Sequence, residues 1–196
     1  EANGTAALAM INTFVGTAAA ALAWTLAEWV FRGHPSLLGA VSGAVAGLVA
    51  ITPACGWVGP AGGIVLCIVA GFVCFFFCTT VKNMLKYDDS LDVFGVHCIG
   101  GIIGAIGTGI FNSPDLGGTG PADYFTAPGT LVVGAYDMAH QVWVQVQGVL
   151  ITLVLSGLVT TVLYFAISFT IGMRVKEDEE REGLDIASHG ERAYNY

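Results

Sequence analysis

Five long apolar stretches, almost free of charge, constrain this chain more than any other feature. They are residues 6–31, 37–53, 62–81, 91–111 and 142–172. The first holds one charged residue, Glu28. The third and fifth hold none, and the fourth is interrupted by Asp92 and His97. About 20 apolar residues in a helix cross about 30 Å of hydrocarbon. The second stretch is short for a crossing and the fifth is long, so the fifth must tilt or project. Lipid offers no partner to a bare peptide group, so helices are the expected spanning form. Such a chain cannot cover itself with enough polar surface to dissolve. With 11% charged residues against the ordinary ~25%, a soluble globular enzyme is excluded, and 55% hydrophobic residues exclude a disordered chain.

The few charges are informative because of where they fall. The chain carries 7 basic and 15 acidic residues, a net charge of -8, which argues against a nucleic-acid partner. If the end of the chain is cytoplasmic, the cytoplasmic segments are 32–36, 82–90 and 173–196. All seven basic residues lie there: Arg32, Lys82, Lys86, Arg174, Lys176, Arg181 and Arg192. Five crossings thus satisfy the positive-inside rule without exception. The predicted organisation is a transmembrane region over 1–172 and a charged cytoplasmic tail over 173–196. Aromatic residues near the span ends (Trp24, Trp29, Phe31, Trp57, Tyr124, Phe125 and Trp143) suit the membrane interface. The segment 112–138, rich in Gly and Pro, reads as an ordered surface loop. The chain opens on Glu1 rather than Met, which fits a processed or excerpted sequence.

Small residues mark helix contacts. Gly39, Gly43 and Gly47 recur every four residues, as do Gly100 and Gly104. Such ridges let backbones approach closely where hydrophobic attraction between helices is absent. Cys67, Cys74 and Cys78 stand at helical spacing in an apolar run and read as small buried side chains; with Cys55 and Cys98 they form no metal-binding pattern.

Ionisable groups within apolar spans are costly and therefore candidates for function. His97 lies five residues beyond Asp92, about 7.5 Å deeper at 1.5 Å per residue. Depth alone predicts a buried ring. A neutral imidazole there presents one donor and one acceptor, fit to line a path or to bond a neighbouring helix. Asp92 reads as a carboxylate that accepts helix N-terminal N–H groups and sets the geometry of the helix holding His97. Ser42 and Thr52 either line a path or bond backbone carbonyls. Glu28 reaches Arg32 at i+4 as a surface pair, and Asp137 reads as a helix cap. No catalytic constellation is present, no cofactor or metal is called for, and an enzyme is not expected.

The run DDSLDVFGVHCIGGIIGAIGTGIF (Asp88 to Phe111) resembles the signature of the ammonium transporter family, the Amt/Mep/Rh group. GAVSGAVAGLVAITPACGWVGP (Gly39 to Pro60), the opening EANGTAALAMINTFVGTAAAALAW and the tail EEREGLDIASHGERAYNY resemble other blocks of bacterial-type members. The resemblance implies an all-α membrane protein whose five transmembrane helices are the last five of eleven in an inverted-repeat fold, so that the first half of the pore lies elsewhere. It implies a homotrimer in the cell (inner) membrane and transport of ammonium or ammonia. It implies that ammonium loses a proton and ammonia passes along pore histidines. His97 matches one of two pore histidines, Val93 a pore-lining position, Ser42 and Thr52 polar positions lining or supporting the pore, and Asp92 its structural support. The tail suggests a docking site for a PII-type signalling protein. An ammonium sensor of the same fold is the alternative.

Overall fold

A computed structural model describes residues 2–123, 130–131 and 136–192. Every apolar stretch forms helix. Helix α1 runs Gly4–Arg32; Asn3 caps it by accepting from the Ala6 amide (2.9 Å), and Gly33, at φ +84°, ends it. Helix α2, Leu37–Ile51, is capped by Ser36, whose Oγ accepts from the Gly39 amide at 2.9 Å. Helix α3, Pro60–Phe76, starts on a proline whose missing N–H is no loss in a first turn, and continues through a π turn, Phe77–Val81 (π1), into α4, Lys82–Leu85. A second π turn, Phe94–Cys98 (π2), opens α5, Ile99–Phe111. Helix α6, Met138–Thr170, is followed by α7, Glu177–Glu182, and α8, Leu184–Ala187. The one departure from an all-helical chain among the described residues is an antiparallel pair, β1 (Ala122–Asp123) with β2 (Thr130–Leu131).

Among the described residues, four helical segments are long and apolar enough to cross a membrane: Gly4–Arg32, Pro60–Leu85, Phe94–Phe111 and Met138–Thr170. Helix α2, at 15 residues or about 22 Å, is apolar but shorter. The chain divides into two compact units, Glu1–Val149 and Leu150–Tyr196, with the boundary inside α6.

The first unit packs through small residues. Gly39, Gly43 and Gly47 are buried on the face of α2 that meets α1. A methyl on Gly43 would sit 2.6 Å from Trp24 Cβ and 3.0 Å from the Ala20 carbonyl oxygen, so the backbones touch because no side chain intervenes. Two buried clusters fill the layers around this seam. Trp24, Ala27, Ala46, Cys74, Phe75, Cys78 and Val96 form one, in which Trp24 meets Phe75 edge-on at 5.7 Å. Ala20, Ile51, Ala54, Val58, Leu66 and Cys67 form the other. Helix α5 lies against α2 at Val49 and Ala50, where Gly104 fits over the Ala50 carbonyl.

The second unit is different in kind. No residue of α6 is buried, and from Leu150 onward the helix is exposed throughout. The tail folds as two short helices divided by Gly183 at φ +106°, with Arg174 paired to Glu180 at 3.1 Å and Arg181 to Glu177 at 2.5 Å. Tyr124, Phe125 and the last four tail residues lie outside the described residues.

Candidate functional site

The segment from Lys82 to Cys98 builds the approach to His97. Lys86 at φ +53° ends α4, and Asp92 at φ +55° admits the next helix. Asp89, not Asp92, caps that helix: its two carboxylate oxygens accept from the amides of Val93 (2.8 Å) and Phe94 (2.9 Å). The expected capping role of Asp92 is thereby corrected. A left-handed residue turns its side chain away from the amides after it, and the Asp92 carboxylate instead takes the Lys82 ammonium at 2.7 Å. Lys82 also donates to the Asp89 carbonyl, so one cation ties both acidic residues to the end of α4. Tyr87 packs edge-on against Phe94, with ring centroids 5.5 Å apart.

His97 sits in π2, and within this chain it is exposed. Position along a helix measures depth; which face meets a neighbour decides cover. Gly95 and Val96 face the core, whereas His97 and Val93 (51% exposed) do not. Among the described residues none hydrogen-bonds to the His97 ring. Ser42 is half-buried in α2, the helix that packs along π2 and α5. Thr52 is exposed at the end of α2, and its hydroxyl donates to the Leu48 carbonyl at 2.6 Å. The structure therefore sets Ser42, Thr52, Val93 and His97 on adjoining elements of one unit without a direct bond between them. The hydroxyl proton of Thr52 is committed to its own helix.

Two further polar residues matter and were misjudged or missed. Glu28, expected as a surface pair, is 3% exposed. Its carboxylate accepts from the Ser36 amide (2.8 Å) and hydroxyl (3.0 Å) and from Arg32 Nη1 (3.3 Å). Any side chain at Gly39 would overlap it, so α2 descends onto this carboxylate. Asn12, 1% exposed in α1, donates from Nδ2 to the carbonyls of Cys55 and Val58, both at 2.8 Å. Its signal in the sequence was a lone amide in an apolar helix, which had to find partners elsewhere. Asp137 caps α6 as expected, accepting from the His140 amide at 3.0 Å.

The model of the Ammonium Transporter Family matches residues 1–194. The chain is 46% identical over 194 residues to an ammonium transporter of Aquifex aeolicus, covering 99% of this chain and 43% of that protein. It is 41% identical over 192 residues to the ammonium transporter of Bacillus subtilis, covering 98% and 45%. The chain thus spans less than half the length of these curated relatives. Among solved structures, Saccharomyces cerevisiae Mep2 superposes with TM-score 0.77 at 31% identity, covering 100% of this chain and 44% of that one. A protein described as a sensor Amt protein superposes with TM-score 0.81 at 22% identity, covering 96% and 43%, which is a likeness of fold alone.

Proposed function

The chain belongs to the ammonium transporter family, and from that premise we propose that it forms part of a path for ammonium and ammonia across a cell membrane. The observation that carries this reading is the family match over residues 1–194 of the chain. Its four long apolar helices make it a multi-pass membrane protein; we read α2 as a fifth crossing, short because it packs glycine to backbone. The five are the last five of eleven in the whole protein, and the tail lies in the cytoplasm with all seven basic residues on that side.

The chemistry follows from the cost of charge. A bare cation carried into low-dielectric surroundings costs several kcal/mol even after relaxation, whereas neutral ammonia crosses far more cheaply. Ammonium therefore gives up a proton before the narrow part of the path, and ammonia continues along imidazoles that offer both a donor and an acceptor. His97 is the imidazole this chain supplies, and Val93 is the apolar wall one turn away. Their exposure on the first unit suits a face that meets the remaining half of the pore. Asp92, held by Lys82, supports the start of their helix. Ser42 and Thr52 line or brace the path from α2. The whole protein is a homotrimer with a path in each subunit, and its tail offers a docking surface to a PII-type protein. Beyond the shared fold, no observation favours a sensor.

Uptake of the methylammonium analogue by the intact protein tests the reading. His97→Ala is expected to change conduction while the protein still accumulates in the membrane; uptake equal to the parent would remove His97 from the path.

A further inference from the structure

The helix bearing His97 is seated through an unusual contact. Two π turns face each other, π1 closed by the Lys82 amide on the Phe77 carbonyl and π2 by the Ile99 amide on the Phe94 carbonyl. At their meeting point Gly95 lies on Cys78. A side chain on Gly95 would overlap the Cys78 thiol and come within 3.1 Å of the Cys78 amide nitrogen and 3.4 Å of its Cα. The neighbours of Gly95 reinforce the seat. Phe94 meets Phe77 at 6.2 Å and Tyr87 at 5.5 Å, and Val96 is buried in the cluster that contains Cys78. Gly95 and Val96 are thus anchored inward behind the ring contacts of Phe94, and the next residue, His97, is presented outward.

A π turn inserts one residue into the helical register and rotates the downstream residues by about 100° at 3.6 residues per turn. The direction in which His97 faces therefore depends on the wide turn closing where it does. Where the turn closes, position 95 lies at contact distance from the Cys78 backbone. We propose that Gly95 is a positioning residue for His97: its seat on Cys78 holds the π turn that aims the imidazole. The proposal rests on the reading of His97 as a path residue.

The test compares Gly95→Ala, Cys78→Gly, the double variant and His97→Ala in the intact protein, by methylammonium uptake and thermal melting. Gly95→Ala is expected to lower uptake at least about tenfold, as a misplacement of reacting groups by about 1 Å does. Its residual uptake should show a displaced pH profile, which a mere loss of folded protein would not produce. Removing the thiol in Gly95→Ala/Cys78→Gly should recover part of the uptake lost in Gly95→Ala, because the worst overlap is gone while the Cys78 amide nitrogen still lies 3.1 Å from the new Cβ. Unaltered uptake in Gly95→Ala, or a double variant that recovers nothing relative to Gly95→Ala, overturns the proposal. The second comparison decides it even where Gly95→Ala alone fails to accumulate. Normal uptake in His97→Ala sinks the path reading and the proposal with it, whereas loss in His97→Ala with normal uptake in Gly95→Ala sinks the positioning role alone.

Discussion

Helices α1 and α2 and the long helix α6 are all apolar, yet they treat their surfaces in opposite ways. Between α1 and α2 the glycines at 43 and 47 bring backbone within touching distance of backbone. Along α6 no residue is buried, and a methyl on Gly157 would meet nothing within 4 Å. Apolar character permits a helix to enter lipid and says nothing about which neighbour it keeps. In an apolar solvent, contact is won by removing side chains, because the attraction is dispersion at short range. Large branched residues such as Leu155, Leu158 and Val162 leave α6 with a surface that suits lipid chains as well as protein.

The contrast can be broken or sharpened by substitution. The largest effect is expected at the tightest seam. Gly104→Val would drive a side chain into the Ala50 carbonyl group, whose carbon lies 3.0 Å from the new Cβ. Backbone cannot rotate aside as a side chain can, so about 3 kcal/mol of stability should be lost, seen as a lower melting temperature in detergent. A smaller loss is expected from Asn12→Leu. It keeps the branched shape of the side chain and leaves the Cys55 and Val58 carbonyls without their donor, at a cost of about 2 kcal/mol by the same measurement. The smallest effect belongs to α6: Gly157→Ala should be neutral or stabilising by up to about 1 kcal/mol, since alanine favours helix and nothing stands in its way. A loss there would show α6 to be covered in the intact protein and would end the contrast.

Run lengths and the absence of charge made the helices legible, because in lipid every backbone group must be satisfied within its own segment. The glycine spacing likewise announced the seam of α2, since a repeat of four residues marks one helical face. The finer features escaped for identifiable reasons. Closing a turn at i+5 rather than i+4 leaves no local pattern, so π1 and π2 were invisible. Glu28 looked like half of an exposed i,i+4 pair because its burial depends on Ser36 and the descent of α2, which are set by tertiary packing. Asp89 and Asp92 could not be told apart as caps until the left-handed turn at Asp92 was seen. His97 was recognisable by type and by family, but its outward aim was not.

The bridge from Asn12 has a consequence for biogenesis. Its acceptors lie 43 and 46 residues further along the chain. At about 5–20 residues per second of synthesis, α1, which ends at Arg32, is complete for roughly 1–5 s before those carbonyls exist. Through that interval its amide must stay wetted or borrow a partner from the insertion machinery. Release of α1 into lipid is thereby expected to be favoured by the arrival of the turn after α2, which supplies those carbonyls.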